Sequence, residues 1–268
     1  MPRAHRHFIP GHIWHITHRC HDREFLLDRP SDRQSWLSWL QKAQLRHKFL
    51  VLDYSVTSNH IHLLLQDPGA PKAIAQGMQF VQGRMAQEYN ERNGRLNAFW
   101  GDRYHATAVE SGFHLLRCLA YIDLNMVRAG VVAHPGDWPE CGYGEIQSQH
   151  TRSGIIDKRR LAALLGCPDL ESLRRRHLES IHSGLETDAL KRDGRWSESV
   201  AMGSQTFVEK FAHDLGIRLG RRKITAGNDE ESFTLREPTF SDYGDGSIAA
   251  LSGNNSFEWV QCGIPLDK

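Results

Sequence analysis

Long apolar runs, paired cysteines and an excess of either charge are all missing from these 268 residues. Uninterrupted apolar stretches, such as Leu63–Leu65, span only a few residues, where a transmembrane helix needs about 20. The first residues, Met1-Pro2-Arg3-Ala4-His5-Arg6-His7, lead into no apolar signal-peptide core. The five cysteines (Cys20, Cys118, Cys141, Cys167, Cys262) are odd in number and widely spaced, with no CxxC pair. That excludes a disulfide framework and predicts a reducing, cytoplasmic setting. A formal charge of +1 excludes a globally basic nucleic-acid binder, though not a local basic face. What the chain has in quantity is histidine: sixteen in all, thirteen of them within residues 1–150. Histidine is both the commonest metal ligand and a proton carrier near neutral pH, so its spacing in that half bears on function.

Charge divides the chain into three parts. Residues 1–150 carry +2, residues 151–223 carry +5 and residues 224–268 carry −6. The last part is rich in Gly, Ser, Asp and Asn and reads as a loop or weakly ordered acidic tail. In the first part, residues 12–19, 49–56, 60–65 and 98–109 read as strands. Residues 32–47, 71–92 and 112–127 read as helices, with Ser31 or Asp32 and Ser111 as N-cap candidates, Pro71 in a first turn and Gly130 past an end. The order β-α-β-β-α-β-α predicts an α+β fold, a ferredoxin-like or RRM-like antiparallel sheet with helices on one face. Residues 157–166, 169–184 and 205–216 read as helices of a basic extension, expected to stand apart from any chemistry.

Two short patterns carry chemical potential. In Asn59-His60-Ile61-His62-Leu63 the two imidazoles leave the same face of a strand, because side chains alternate with period two. They could grip one divalent ion, or be two half-buried histidines in a histidine-rich chain. In Tyr121-Ile122-Asp123-Leu124-Asn125 the Tyr and Asn are i and i+4 on a helix, on one face. The Tyr could be a nucleophile and the Asn a metal ligand, or the pair could be a half-buried Tyr near a helix end. Together, two histidines and an amide would leave coordination positions for phosphate oxygens beside a phenol. That layout suits attack on a phosphodiester. Tyr104 is the nearest competing phenol but has no ligand-type residue at helical spacing; Tyr54, Tyr89, Tyr143 and Tyr243 read as packing or loop residues.

Residues 1–143 resemble the single-tyrosine HUH transposases, and most closely the REP-associated tyrosine transposase family. The match runs through Trp14-His15-Ile16-Thr17, Tyr54–Leu64 with its His60-Ile61-His62, Phe99–Tyr104, and Tyr121–Val132 followed by Trp138-Pro139. The family usually has Pro where this chain has Met126. The resemblance implies a transposase/nuclease that cleaves and rejoins single-stranded hairpin DNA through a 5′-phosphotyrosine. By the same carry-over Tyr121 is the nucleophile, and His60, His62 and Asn125 hold Mg²⁺ or Mn²⁺. It implies a nucleoid-associated protein with no membrane, acting as a monomer or homodimer.

Arg19, Arg84 and Arg103 are candidate phosphate contacts, with Arg92, Arg95 and the clusters Arg174–Arg176 and Arg221–Lys223 in reserve. Trp14, Phe99 and Trp100 are candidates for stacking on unpaired bases. A non-catalytic hairpin-binding protein on the same fold, and a metal-dependent hydrolase with a structural Tyr121, are the competing readings.

Overall fold

The computed structural model describes residues 9–67, 69–70, 72–149, 154–186, 193–216, 223–227 and 232–236. Its first half runs β1 (Ile13–Arg19), α1 (Pro30–His47), β2 (Leu50–Val56), β3 (His60–Gln66), α2 (Ala73–Asn93), β4 (His105–Val109), α3 (Phe113–Asp123), α4 (Asn125–Arg128) and α5 (Gly142–Gln147). The second half adds α6 (Lys158–Leu164), α7 (Leu170–Glu186), α8 (Arg195–Glu198), β5 (Ser199–Gly203), α9 (Gln205–Leu215), β6 (Lys223–Ala226) and β7 (Phe233–Arg236). The strands form one sheet in the order β2-β3-β1-β4-β5-β7-β6. The first four pair antiparallel in the ferredoxin-like order.

Side-chain alternation on the two central strands decides everything near the site. Thr17 lies opposite His62, Arg19 opposite His60 and His15 opposite Leu64. These residues share one face. Ile16, Ile61, Leu63 and Leu65 point to the other and are fully buried there. That apolar face is met by α1, through Trp36, Leu40 and Ala43, and by α2, through Met78, Val81 and Met85. Pro30 occupies the start of α1, where its fixed φ suits a first turn. Asp32 lies inside that turn and pairs with Arg92 of α2 instead of capping.

Three expectations are corrected here. Helices cover both faces of the sheet, because α3 packs over the polar face, with Tyr121 against His15 and His62. The helix read over 112–127 breaks at Leu124, whose ψ of 4° flattens the turn, and its N-cap is Gly112 rather than Ser111. The strand read over 98–109 is confined to β4; Trp100 makes only an isolated bridge to Cys20.

The extension does not stand apart. β5 pairs parallel to β4, with Ala108 opposite Ala201, so the sheet is mixed rather than purely antiparallel. α7 packs on α3 through a fully buried hydrogen bond, His177 Nε2 to Asp123 Oδ2 at 2.7 Å. The stretch read as a tail begins with a hairpin: β6 and β7 pair, and Leu235 is fully buried. The alternating Ile224-Thr225 and Phe233-Thr234-Leu235 account for it. The remainder of that tail, with Tyr243 and Cys262, lies outside the described residues, as do Arg221 and Arg222. Among the described residues, Cys20, Cys118, Cys141 and Cys167 are free thiols, and no helix is long and apolar enough to cross a membrane.

One buried group on the polar face is poorly accommodated. Asp53 of β2 is fully buried, and neither carboxylate oxygen has a hydrogen-bond partner among the described residues. The start of α5 closes over it at Gly142, where any Cβ would strike Asp53 Oδ1 and Ile156. Burial, reinforced by the nearby Asp123 charge, pushes the Asp53 carboxyl well above its ordinary value. A raised folded-state value means stability that is fully present below about pH 3.9 and is lost as pH rises through the folded value. Asp53→Asn therefore leaves the melting temperature little changed near pH 4 and raises it increasingly toward pH 8. Thermal melts across that range check this; a uniform loss at every pH contradicts it.

Candidate active site

The polar face of β1 and β3 opens under α3 and α4 into a cavity of about 600 Å³. His60, His62, Tyr121 and Asn125 all line it, together with Arg19 and Arg103. Strand parity brings the two histidines together, their ring centroids 5.0 Å apart. The break at Leu124 does not separate Tyr121 from Asn125: Asn125 Nδ2 lies 3.0 Å from His62 Nε2, and the Tyr121 and His62 rings meet edge to face at 5.8 Å. Tyr104 is elsewhere. It does not line the cavity and is buried against His18, one of the lining residues.

The hydrogen bonds around each histidine fix which nitrogen bears the lone pair. His60 Nδ1 lies 2.7 Å from Asn59 Oδ1 and 2.9 Å from Thr57 Oγ1. Thr57 donates its own hydroxyl proton to the His60 carbonyl, and Asn59 Nδ2 donates to the Arg23 carbonyl. Both partners can therefore only accept from His60 Nδ1, which leaves Nε2 as the basic atom. His62 Nδ1 is 2.9 Å from His15 Nε2, and His62 Nε2 is the atom beside Asn125. Burial, followed by the charges of His60, His15, Arg128 and Arg19, holds His62 well below its ordinary value. Burial, partly offset by a bond to the Trp196 carbonyl, takes His15 down to about 3. Both rings are neutral near pH 7, the state in which imidazole binds metal.

Two imidazole Nε2 atoms and an amide that can turn its oxygen inward form a mixed N/O donor set, which fits a small divalent ion. The set is sparse: among the described residues no group of three or more His, Cys, Asp or Glu side chains is placed to hold an ion. Further ligand positions would fall to substrate oxygens.

Arg128 was not singled out from the sequence, yet it lines the cavity with its guanidinium 4.1 Å from the Tyr121 ring centroid. Its Nη2 donates to the Tyr121 carbonyl at 2.7 Å, while Nη1 is buried with no hydrogen-bond partner among the described residues. The signal was present in the spacing, since Arg128 is three residues past Asn125 and so returns to its face of a helical turn. Four arginines (19, 23, 103 and 128) and three carboxylates (Asp22, Asp102, Glu198) line the cavity, a modest positive balance.

The extension contributes here too. Ser197 and Glu198 line the cavity, and Trp196 leans over Tyr121 with centroids 6.0 Å apart. Pairing of β5 beside β4 carries α8 to this end of the sheet. Arg84 is not in the cavity. It lies on α2 over Trp39 and Phe80. Of the aromatics considered for base stacking, Trp14 and Phe99 are core residues. Trp100 is half-buried, stacked on His18 at 4.3 Å, with its Nε1 donating to the Gln82 carbonyl.

Comparison with known proteins gives a family-model match over part of the chain. Residues 9–125 match the family model described as IS200-like transposase, a span that begins just before β1 and ends at Asn125. A solved structure of a REP-associated tyrosine transposase bound to a REP hairpin is 19% identical, with a TM-score of 0.48, covering 59% of this chain and 94% of that one. A candidate transposase from Deinococcus radiodurans R1 is 14% identical, with a TM-score of 0.32, covering 40% of this chain and 86% of that one. None of the curated proteins matches.

Proposed function

Because residues 9–125 match the family model described as IS200-like transposase, we propose that this protein cleaves and rejoins single-stranded hairpin DNA, with Tyr121 as the nucleophile. The observation that carries the reading is the convergence of Tyr121, His60, His62 and Asn125 on one cavity that also presents Arg19, Arg103 and Arg128. A single-stranded substrate is part of the proposal. An unpaired strand can bend and splay a nucleotide toward the largely buried Tyr121 more readily than a duplex can.

In the cleavage step the Tyr121 phenol loses its proton and its oxygen bonds to the scissile phosphorus. The bond from phosphorus to the 3′ oxygen breaks, and that oxygen leaves with a proton. The downstream strand remains on the protein as a 5′-phosphotyrosine, and a 3′-hydroxyl can reverse the step without an external energy source. His60, His62 and Asn125 would hold Mg²⁺ or, better matched to imidazole, Mn²⁺. Such an ion supplies Lewis-acid polarisation of the phosphate oxygens. Arg128, with an unused N–H group beside the phenol, meets charge that develops on the phosphate as the new bond forms. Arg19 and Arg103 hold the strand's flanking phosphates.

The test is binding and cleavage of labelled hairpin oligonucleotides in Mn²⁺ or EDTA. The expected result is tighter binding to the hairpin than to a matched duplex, with cleavage in Mn²⁺ alone. Arg103→Ala is expected to weaken binding to all sequences alike and to lower the salt slope by about 1. Tight hairpin binding without cleavage under any divalent ion would favour the binding-module alternative.

A further inference from the structure

The structure assigns His15 a positioning role: it fixes the tautomer of His62, so that the Nε2 lone pair of His62 faces the cavity. The inference rests on the reading of His62 as a metal ligand. It adds to it a residue on β1 and an anchor in the C-terminal extension.

The argument is one of donor direction. His15 Nδ1 is 2.9 Å from the main-chain carbonyl of Trp196. A carbonyl only accepts, so the proton sits on His15 Nδ1. In a neutral ring, His15 Nε2 then carries the lone pair. It lies 2.9 Å from His62 Nδ1, which must donate. His62 Nε2 is left as the basic atom. The bond from Asn125 Nδ2 at 3.0 Å runs the same way, an N–H pointing at a lone pair. Trp196 O, His15, His62 and Asn125 thus form a relay in which every link agrees in polarity.

The relay is held rigidly. His15 is fully buried and His62 nearly so, with their rings stacked at 5.1 Å and 13° between planes. His15 is on the cavity face of β1 by strand parity, yet it does not line the cavity itself. It cannot be a ligand, because both its nitrogens are already engaged. A histidine buried without access to substrate, bonded at both nitrogens, matches the outer partner that orients metal-binding imidazoles. The usual partner is a carboxylate or carbonyl in direct contact; here a second imidazole is interposed. The Trp196 carbonyl is supplied by α8, which reaches the site because β5 joins the sheet. The extension therefore bears on the ligand geometry through its main chain.

The test uses the full-length, metal-free protein with ¹⁵N-labelled histidine. Long-range ¹H–¹⁵N correlation reads the His62 tautomer, assigned by loss of its signals in His62→Gln. The wild type is expected to show His62 as the Nδ1–H form. His15→Leu is expected to lose that preference and to weaken Mn²⁺ binding, measured by calorimetry without DNA, by about 10- to 100-fold. His15→Gln retains an acceptor toward His62 and a donor toward Trp196, and is expected to restore both readings. Wild-type His62 in the Nε2–H form overturns the inference, whatever the variants do. So does His15→Leu with an unchanged tautomer and affinity, or His15→Gln failing as badly as His15→Leu, which would make His15 a packing residue. Neither readout uses cleavage. A correct tautomer with normal Mn²⁺ binding and no cleavage would count against the proposed activity and leave this inference standing.

Discussion

Tyr121→Phe is expected to abolish cleavage of single-stranded hairpin DNA, by roughly 10⁴-fold or more, the scale on which removal of a covalent nucleophile acts. The substitution deletes one oxygen from a ring that is otherwise retained. That ring keeps its contacts with His15, His62, Trp196 and Arg128. Folding and DNA binding should therefore stay close to wild type, and the loss should fall on the chemical step alone. Tyr104→Phe is the control. Its ring packs on His18 and does not itself line the cavity, so loss of its hydroxyl should leave the cleavage rate close to wild type. Single-turnover cleavage with each variant separates the two. Full activity in Tyr121→Phe would transfer the attack to water and make Tyr121 a packing residue.

The second large effect is expected at the histidine pair. His62→Ala should abolish Mn²⁺-dependent cleavage, and His60→Ala should reduce it severely. Loss of the charge stabilisation that a bound ion gives costs several kcal/mol, on the order of 10³-fold in rate. The asymmetry follows from position. His62 lies between Asn125 and His15, buried beneath Tyr121, while His60 is half-buried at the rim and tied to Thr57 and Asn59. Oligonucleotide binding should survive in both variants, because Arg19 and Arg103 remain. Calorimetry with Mn²⁺ and a filter-binding assay with the hairpin read the two properties independently. Undiminished cleavage in His62→Ala would remove the metal from the account.

The parts of the site set by local periodicity were legible in the sequence. Alternation along Asn59–Leu65 put His60 and His62 on one face and Ile61 on the other, and β3 has that arrangement. The i, i+4 spacing of Tyr121 and Asn125 put them together, and they remain together even though the helix breaks at Leu124. The parts set by register were not legible. No local pattern says that His15 lies opposite Leu64 and so abuts His62, or that a carbonyl 181 residues away caps it. β5 was missed for a related reason. Ser199–Gly203 is a short stretch with little alternation, and it is a strand because β4 offers it an edge. Without that pairing the extension looked like a separate helical piece. With it, Trp196, Ser197 and Glu198 arrive at the cavity. Arg84 shows the converse limit. A basic residue on a helix reads as a DNA contact until the fold puts that helix on the far side of the sheet.

The central claim is a covalent bond between Tyr121 and DNA, and intact-mass spectrometry of the protein after reaction with a hairpin oligonucleotide in Mn²⁺ reads it directly. The account predicts a protein heavier by the downstream fragment with its 5′ phosphate, a released upstream fragment ending in a 3′-hydroxyl, and a modified peptide that contains Tyr121. A cleaved oligonucleotide with a free 5′ phosphate and an unmodified protein, or an adduct mapped to any other residue, would contradict it.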